Sequence, residues 1–155
     1  MKRPPSGKKI TFQIYTVLLL IGLSILLRDI SLFLTGGRLV YGLDDPYIHL
    51  ALAERITEGE YGINRGEVAS PSSSIAYPYL LTLGFLTNCP DEFPFWLSLI
   101  AMGLVLWLMA GFIWDRIAEA GEEPSLWFLI LTGIGLLFSL NAPTFPMMGM
   151  EHPWH

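Results

Sequence analysis

Three long stretches almost without charge constrain this chain more than any other feature: residues 11–27, 93–114 and 126–145. Crossing a hydrocarbon core of about 30 Å takes about 20 helical residues at about 1.5 Å each, and all three are near that length. The total apolar content, 52%, would suit a soluble domain equally well, so the clustering decides. The expected fold class is an all-α integral membrane protein. Three transmembrane helices, at residues 11–34, 93–114 and 126–145, are joined by a long first external loop carrying interfacial juxtamembrane helices.

The opening "MKRPPSGKKI" has the charge of a signal-peptide n-region. The apolar run after it is long, however, and Arg28 and Asp29 follow it in place of a small-x-small cleavage site. It reads as a retained anchor. Lys2, Arg3, Lys8 and Lys9 keep residues 1–10 in the cytoplasm by the positive-inside rule, so the first helix exits outward. Arg28 and Asp29 then fall at interface depth and read as a solvated flank. A single cysteine, Cys89, excludes an internal disulfide framework. The net charge of -5, without a long basic patch, argues against nucleic acid as a partner. No nucleotide-binding glycine fingerprint and no internal repeat is present.

The stretch "SIAYPYLLTLGF" is apolar but short, and stops near Asn88 and Pro90. As a helix over residues 75–88 it would reach only about 21 Å. Such lengths more often lie in the interface, where Tyr77 and Tyr79 are also at home. Residues 35–92 thus form one external loop, residues 93–114 return inward, and residues 115–124 are cytoplasmic. Residues 126–145 go out again, leaving 146–155 as the start of a second external loop. If residues 75–88 crossed, everything after them would invert.

Within the first loop, "YGLDDPYIHLALAERI" predicts a helix over residues 46–58 with Asp45 as N-cap and Pro46 in the first helical position. Ile48, Leu52 and Ile56 recur on one side and Glu54, Arg55 and Glu58 face water, the pattern of an amphipathic helix on a membrane surface. Gly59, Gly62 and Gly66 mark turns after it. Ser72–Ser74 read either as a cap for the second juxtamembrane helix or as a flexible linker.

A cap uses one carboxylate, and here there are two. Asp44 and Asp45 read either as a cap plus a neighbour favouring the helix dipole, or as a partly desolvated pair able to act as a base. Tyr47 and His49 follow within a turn, with His49 four residues after Asp45. They are either an ordinary interfacial pair or ligands for an anionic headgroup, with His49 orienting a carboxylate. At the C-terminus, "MMGMEHPWH" brings Glu151 and His152 to the external face. His152 and His155 are three apart, but Pro153 interrupts and the zinc-protease order is absent, so no metal site is read there. Met147, Met148 and Met150 read as packing residues.

The blocks "DDPYIHLALAERITEGEYGIN", "ASPSSSIAYPYLL" and "GMEHPWH", in that order after a cytoplasmic start and one transmembrane helix, resemble the GT-C polytopic glycosyltransferases. That class includes the protein O-mannosyltransferases, aminoarabinose transferases and arabinosyltransferases, and prokaryotic members carry similar blocks. The resemblance implies transfer of a sugar, with inversion, from a polyprenyl-phosphate donor to an acceptor on the external side of a prokaryotic plasma membrane. By position it implies Asp44 as general base, with Asp45 assisting or capping. It matches Glu151 to an acidic residue of the second external loop, and Tyr47, His49 and His152 complete the candidate substrate-binding groups.

The chemistry suits the location. A polyprenyl phosphate holds its sugar at headgroup level, and its leaving group is already a phosphate. One base is the minimum, with cations (Arg55 and Arg65 are candidates) or a divalent cation to receive the phosphate charge. GT-C members usually have many more transmembrane helices. The expectation is therefore an N-terminal portion of such an enzyme, working with the remaining part or a companion subunit as well as with membrane lipids. The alternative is a small non-catalytic membrane subunit or lipid-binding protein. A transporter is disfavoured, because the carboxylates are interfacial rather than at the midplane.

Overall fold

A largely apolar run from Ile10 to Leu27, with no proline between residues 6 and 34, forms one continuous helix, α1 (Ser6–Leu34). In the computed structural model, which describes residues 6–66, 72 and 74–149, it is followed by α2 (Asp45–Thr57), α3 (Ala76–Leu86), α4 (Phe93–Glu119), α5 (Leu126–Ser139) and α6 (Phe145–Met148). Short 3-10 turns at Pro90–Glu92 and Ala142–Thr144 precede α4 and α6. The described residues contain no strand. Two helices, α1 and α4, are long and apolar enough to cross a membrane.

These two lie antiparallel, because each end is closed by an ion pair between them. Lys9 Nζ meets the Asp115 carboxylate at 2.7 Å at one end, and Arg28 Nη2 meets Glu92 at 2.7 Å at the other. Arg28 is therefore not the solvated flank the sequence suggested. It is largely covered, bonds Glu92 through both carboxylate oxygens and lies 5.7 Å from the Trp96 ring centre. Between the ion pairs, Leu20 packs in a cluster with Phe95, Leu99, Met102 and Leu106 of α4 and Leu137 of α5.

Association of apolar helices in lipid depends on close fit and hydrogen bonding rather than on water exclusion. Both occur here. A Cβ on Gly111 would stand 2.7 Å from Gln13 Nε2, so only glycine lets that amide reach α4, where it donates to the Trp107 carbonyl at 2.9 Å. A Cβ on Gly133 would stand 2.7 Å from Tyr15, which brings α5 equally close to α1.

The third expected span is not one helix. Continuing α5 through residue 143 would drive the Pro143 ring into the Ser139 carbonyl and remove a hydrogen bond. The helix ends at Ser139, Asn141 turns left-handed at φ 49°, and the chain resumes through α6 bent by 53°. At 14 residues α5 rises only about 21 Å. Ser24 of α1 donates to the Pro143 carbonyl at 3.2 Å, satisfying a group the break sets free.

Because Arg28 and Glu92 mark one end of the α1/α4 pair, residues 35–92 leave and return at that end. Helix α3, 11 residues and about 16 Å long, stays there, packed on α2 and α4 through Ala53, Tyr77, Leu81 and Leu97. Of the apolar stripe Ile48, Leu52 and Ile56 on α2, only Leu52 is fully buried in the protein, and Ile48 and Ile56 stay partly exposed. The buried face of the helix is Pro46, His49, Leu52 and Ala53, turned by about one residue, because the neighbour it meets is α3.

Candidate functional site

The polar residues at the Arg28–Glu92 end begin with the acidic pair. Helix α2 starts at Asp45, so Asp44 holds the cap position and Pro46 is the second residue, one step earlier than the sequence suggested. The main-chain carbonyl of Asp44 accepts from the N–H groups of Tyr47 and Ile48, at 3.0 and 3.3 Å. No side-chain cap is made. Asp45 is therefore not spent on capping, contrary to expectation. Asp44 is exposed and Asp45 half-buried, both at the positive end of a 13-residue helix. Neither carboxylate has an ion-pair or hydrogen-bond partner among the described residues.

Tyr47 and His49 diverge. Tyr47 turns toward Tyr41, edge to face at 5.9 Å, and its hydroxyl accepts from the Tyr41 main-chain N–H at 2.9 Å. His49 turns the other way and is 2% exposed, with its ring edge-on to Tyr77 at 5.2 Å. Its Nδ1 lies 3.0 Å from Ser72 Oγ. The single Ser72 hydroxyl proton goes to the Ser74 carbonyl, which leaves His49 Nδ1 as the donor of that bond. His49 is thus a buried partner of Ser72 and not an exposed neighbour of Tyr47. No hydrogen bond or ion pair joins it to Asp45. Ser74 Oγ accepts from the Tyr77 N–H at 3.4 Å in the first turn of α3, which agrees with the capping reading of the 72–74 serines, while the N-cap residue itself, Ile75, makes no side-chain bond.

Two tyrosines that the sequence reading left without a chemical role organise this region. Tyr41 donates to the Asp91 carbonyl at 2.7 Å and accepts from the Phe95 N–H at 3.1 Å, so it closes the first turn of α4 from outside. Burial pushes the Tyr41 phenol well above its ordinary range, partly opposed by the Phe95 bond. Tyr77 donates to the Gly149 carbonyl at 2.9 Å, and Gly42 N–H bonds the Met147 carbonyl at 3.0 Å. Gly149 has φ 61°, and a Cβ there would stand 2.7 Å from the Tyr41 ring and 3.1 Å from Pro46. The chain just before Glu151 and His152 is therefore docked against the turn that carries the acidic pair. Glu151 and His152 themselves, with His155, lie outside the described residues.

A cleft of about 690 Å³ opens between residues 37–41, α2 and the approach to α4. Arg38, Tyr47, Asn88, Asp91 and Glu92 line it on the polar side, and Leu39, Val40 and Leu50 on the apolar side. The acidic pair and His49 are not among its walls. Arg55 and Arg65, the expected phosphate cations, both pair with Glu58, at 2.5 and 3.8 Å. Among the described residues no three His, Cys, Asp or Glu side chains stand together as a metal site. No family model matches the chain, and no curated protein or solved structure does either.

Proposed function

We propose that this chain forms the N-terminal module of an inverting glycosyltransferase of the GT-C type. It moves a sugar from a polyprenyl-phosphate donor to an acceptor hydroxyl at the external face of a prokaryotic plasma membrane, with its N-terminus in the cytoplasm. The observation that carries the reading is the uncommitted acidic pair at the start of α2, set against the docked 147–149 segment. A carboxylate held only for capping would be bonded to the helix N–H groups, and neither is.

In this reading Asp44 takes the acceptor hydroxyl proton as the oxygen attacks the anomeric carbon. The bond from that carbon to the phosphate oxygen breaks, and the polyprenyl phosphate leaves with the electron pair. The α2 N-terminus and Asp45 set the local field, and Tyr47 and Glu151 are the candidate sugar contacts. A general base contributes about 10²–10⁴ in rate, so Asp44→Asn in native membranes is expected to cut transfer from a labelled polyprenyl-phosphate sugar at least about 100-fold. Asp45→Asn should cost less. Turnover by Asp44→Asn at more than half the normal rate would remove Asp44 as the base.

A further inference from the structure

We infer that the cleft between residues 37–41, α2 and the approach to α4 binds the zwitterionic headgroup of a membrane phospholipid carrying a primary ammonium. Arg38 takes the phosphate and Asp91 the ammonium.

The charges lining the cleft carry the argument. Arg38 and Asp91 both face it, and neither has an ion-pair partner among the described residues. The third charged wall residue, Glu92, is already occupied by Arg28 through two bonds of 2.7 Å. The cleft thus presents one available cation and one available anion that are not bonded to each other. A purely anionic ligand would satisfy Arg38 and leave Asp91 facing like charge; a purely cationic ligand would do the reverse. A phosphate–ammonium pair satisfies both. Guanidinium matches phosphate oxygens with paired N–H donors, and an ammonium with N–H groups can donate to a carboxylate.

The surroundings favour a lipid over a free zwitterion. Leu39, Val40 and Leu50 supply the apolar wall. The preceding end of α1 leaves Ile30, Phe33 and Leu34 exposed, Phe33 by 86%, as a track for acyl chains. The volume falls in the usual range for small-molecule sites, about 300–1,000 Å³. The site is separate from the acidic pair, so it stands or falls independently of sugar transfer.

The test is native mass spectrometry of the full chain in detergent, offered dioleoyl phosphatidylethanolamine, phosphatidylcholine and phosphatidylglycerol at equal mole fraction. Losing one charge-assisted bond is worth about tenfold in affinity. Phosphatidylethanolamine should be retained about tenfold over phosphatidylglycerol, which has no ammonium, and over phosphatidylcholine, whose nitrogen has no N–H to donate. Arg38→Gln and Asp91→Asn should each abolish the preference, while Arg38→Lys and Asp91→Glu keep most of it. Equal retention of the three lipids, or a preference that survives both neutral variants, would overturn the site. A loss shared by all four variants would also overturn it, as a folding effect. Displacement of the lipid by equimolar soluble phosphoethanolamine would overturn the lipid as the source.

Discussion

Tyr41 shows how much of the site depends on one hydroxyl. It ties the turn before α2 to the first turn of α4, and both bonds need the phenol proton or its lone pair. Its folded-state pKa is raised, so its contribution to stability is complete below about pH 10, the unfolded value, and fades as pH climbs above that. Tyr41→Phe leaves the Phe95 N–H and the Asp91 carbonyl without this partner and should cost about 1–3 kcal/mol in detergent-solubilised protein. A spectrophotometric titration at high pH should lose a late-ionising tyrosine in the same variant. An unchanged melting midpoint together with an unchanged titration would refute the role. The sequence shows Tyr41 only as an aromatic beside a glycine, because its partners lie 50 and 54 positions away. The opposite is true of Asp44 and Asp45, which stand out in sequence by adjacency alone. The expected cap at Asp45 did not form because α2 begins one residue earlier, which puts Asp44 in the cap position, and neither carboxylate bonds the helix N–H groups.

At the scale of elements, the long helices were legible because hydropathy over a window records what a helix of that length must do. Helices α1 and α4 extend past the expected spans by one or two turns, through Ser6–Ile10 and Asp115–Glu119, where charged residues pair with each other or face outward. The break within the third apolar stretch was not legible because a hydropathy window averages over Asn141 and Pro143, whose effects are steric and local; the two halves together are still long and apolar enough for one bent span. The protein-facing side of α2 was hidden for a related reason: His49 and Pro46 score as poor core residues, yet Tyr77 on α3 gives the imidazole an aromatic neighbour. Close approach of helices can be tested with two glycines on one helix. Gly133→Ala places a methyl 2.7 Å from Tyr15, whereas Gly135→Ala meets nothing within 4 Å. The first should lower thermal stability by about 1–3 kcal/mol and the second should leave it nearly unchanged. Equal effects, followed by tryptophan fluorescence on heating, would mean that α5 does not seat on α1 as described.

For the molecule as a whole, the ordering of ends matters more than any single contact. Residues 35–92 leave and return at the Arg28–Glu92 end, and the 147–149 segment docks there too. In a Cys89→Ser background, single cysteines at positions 44 and 88 should react with an impermeant maleimide from the same side of a sealed vesicle, and one at position 119 from the other. Labelling of 44 and 88 from opposite sides would require α3 to cross. Such pairing of ends was partly readable beforehand, since each apolar stretch is flanked by charge: Lys9 and Arg28 around the first, Glu92 and Asp115 around the second. What remained hidden was the antiparallel match of opposite signs, which only the fold supplies.

That match has a mechanical consequence. Nineteen residues separate Lys9 from Arg28, about 28 Å of helix rise, and each is clasped to α4. One helix cannot slide along the other by a turn without opening both clasps together, one at each surface of the bilayer. Axial shear between α1 and α4 is therefore opposed at both ends. A pair fastened this way meets a thicker or thinner bilayer by leaning together, and the acidic turn and the neighbouring cleft ride with it.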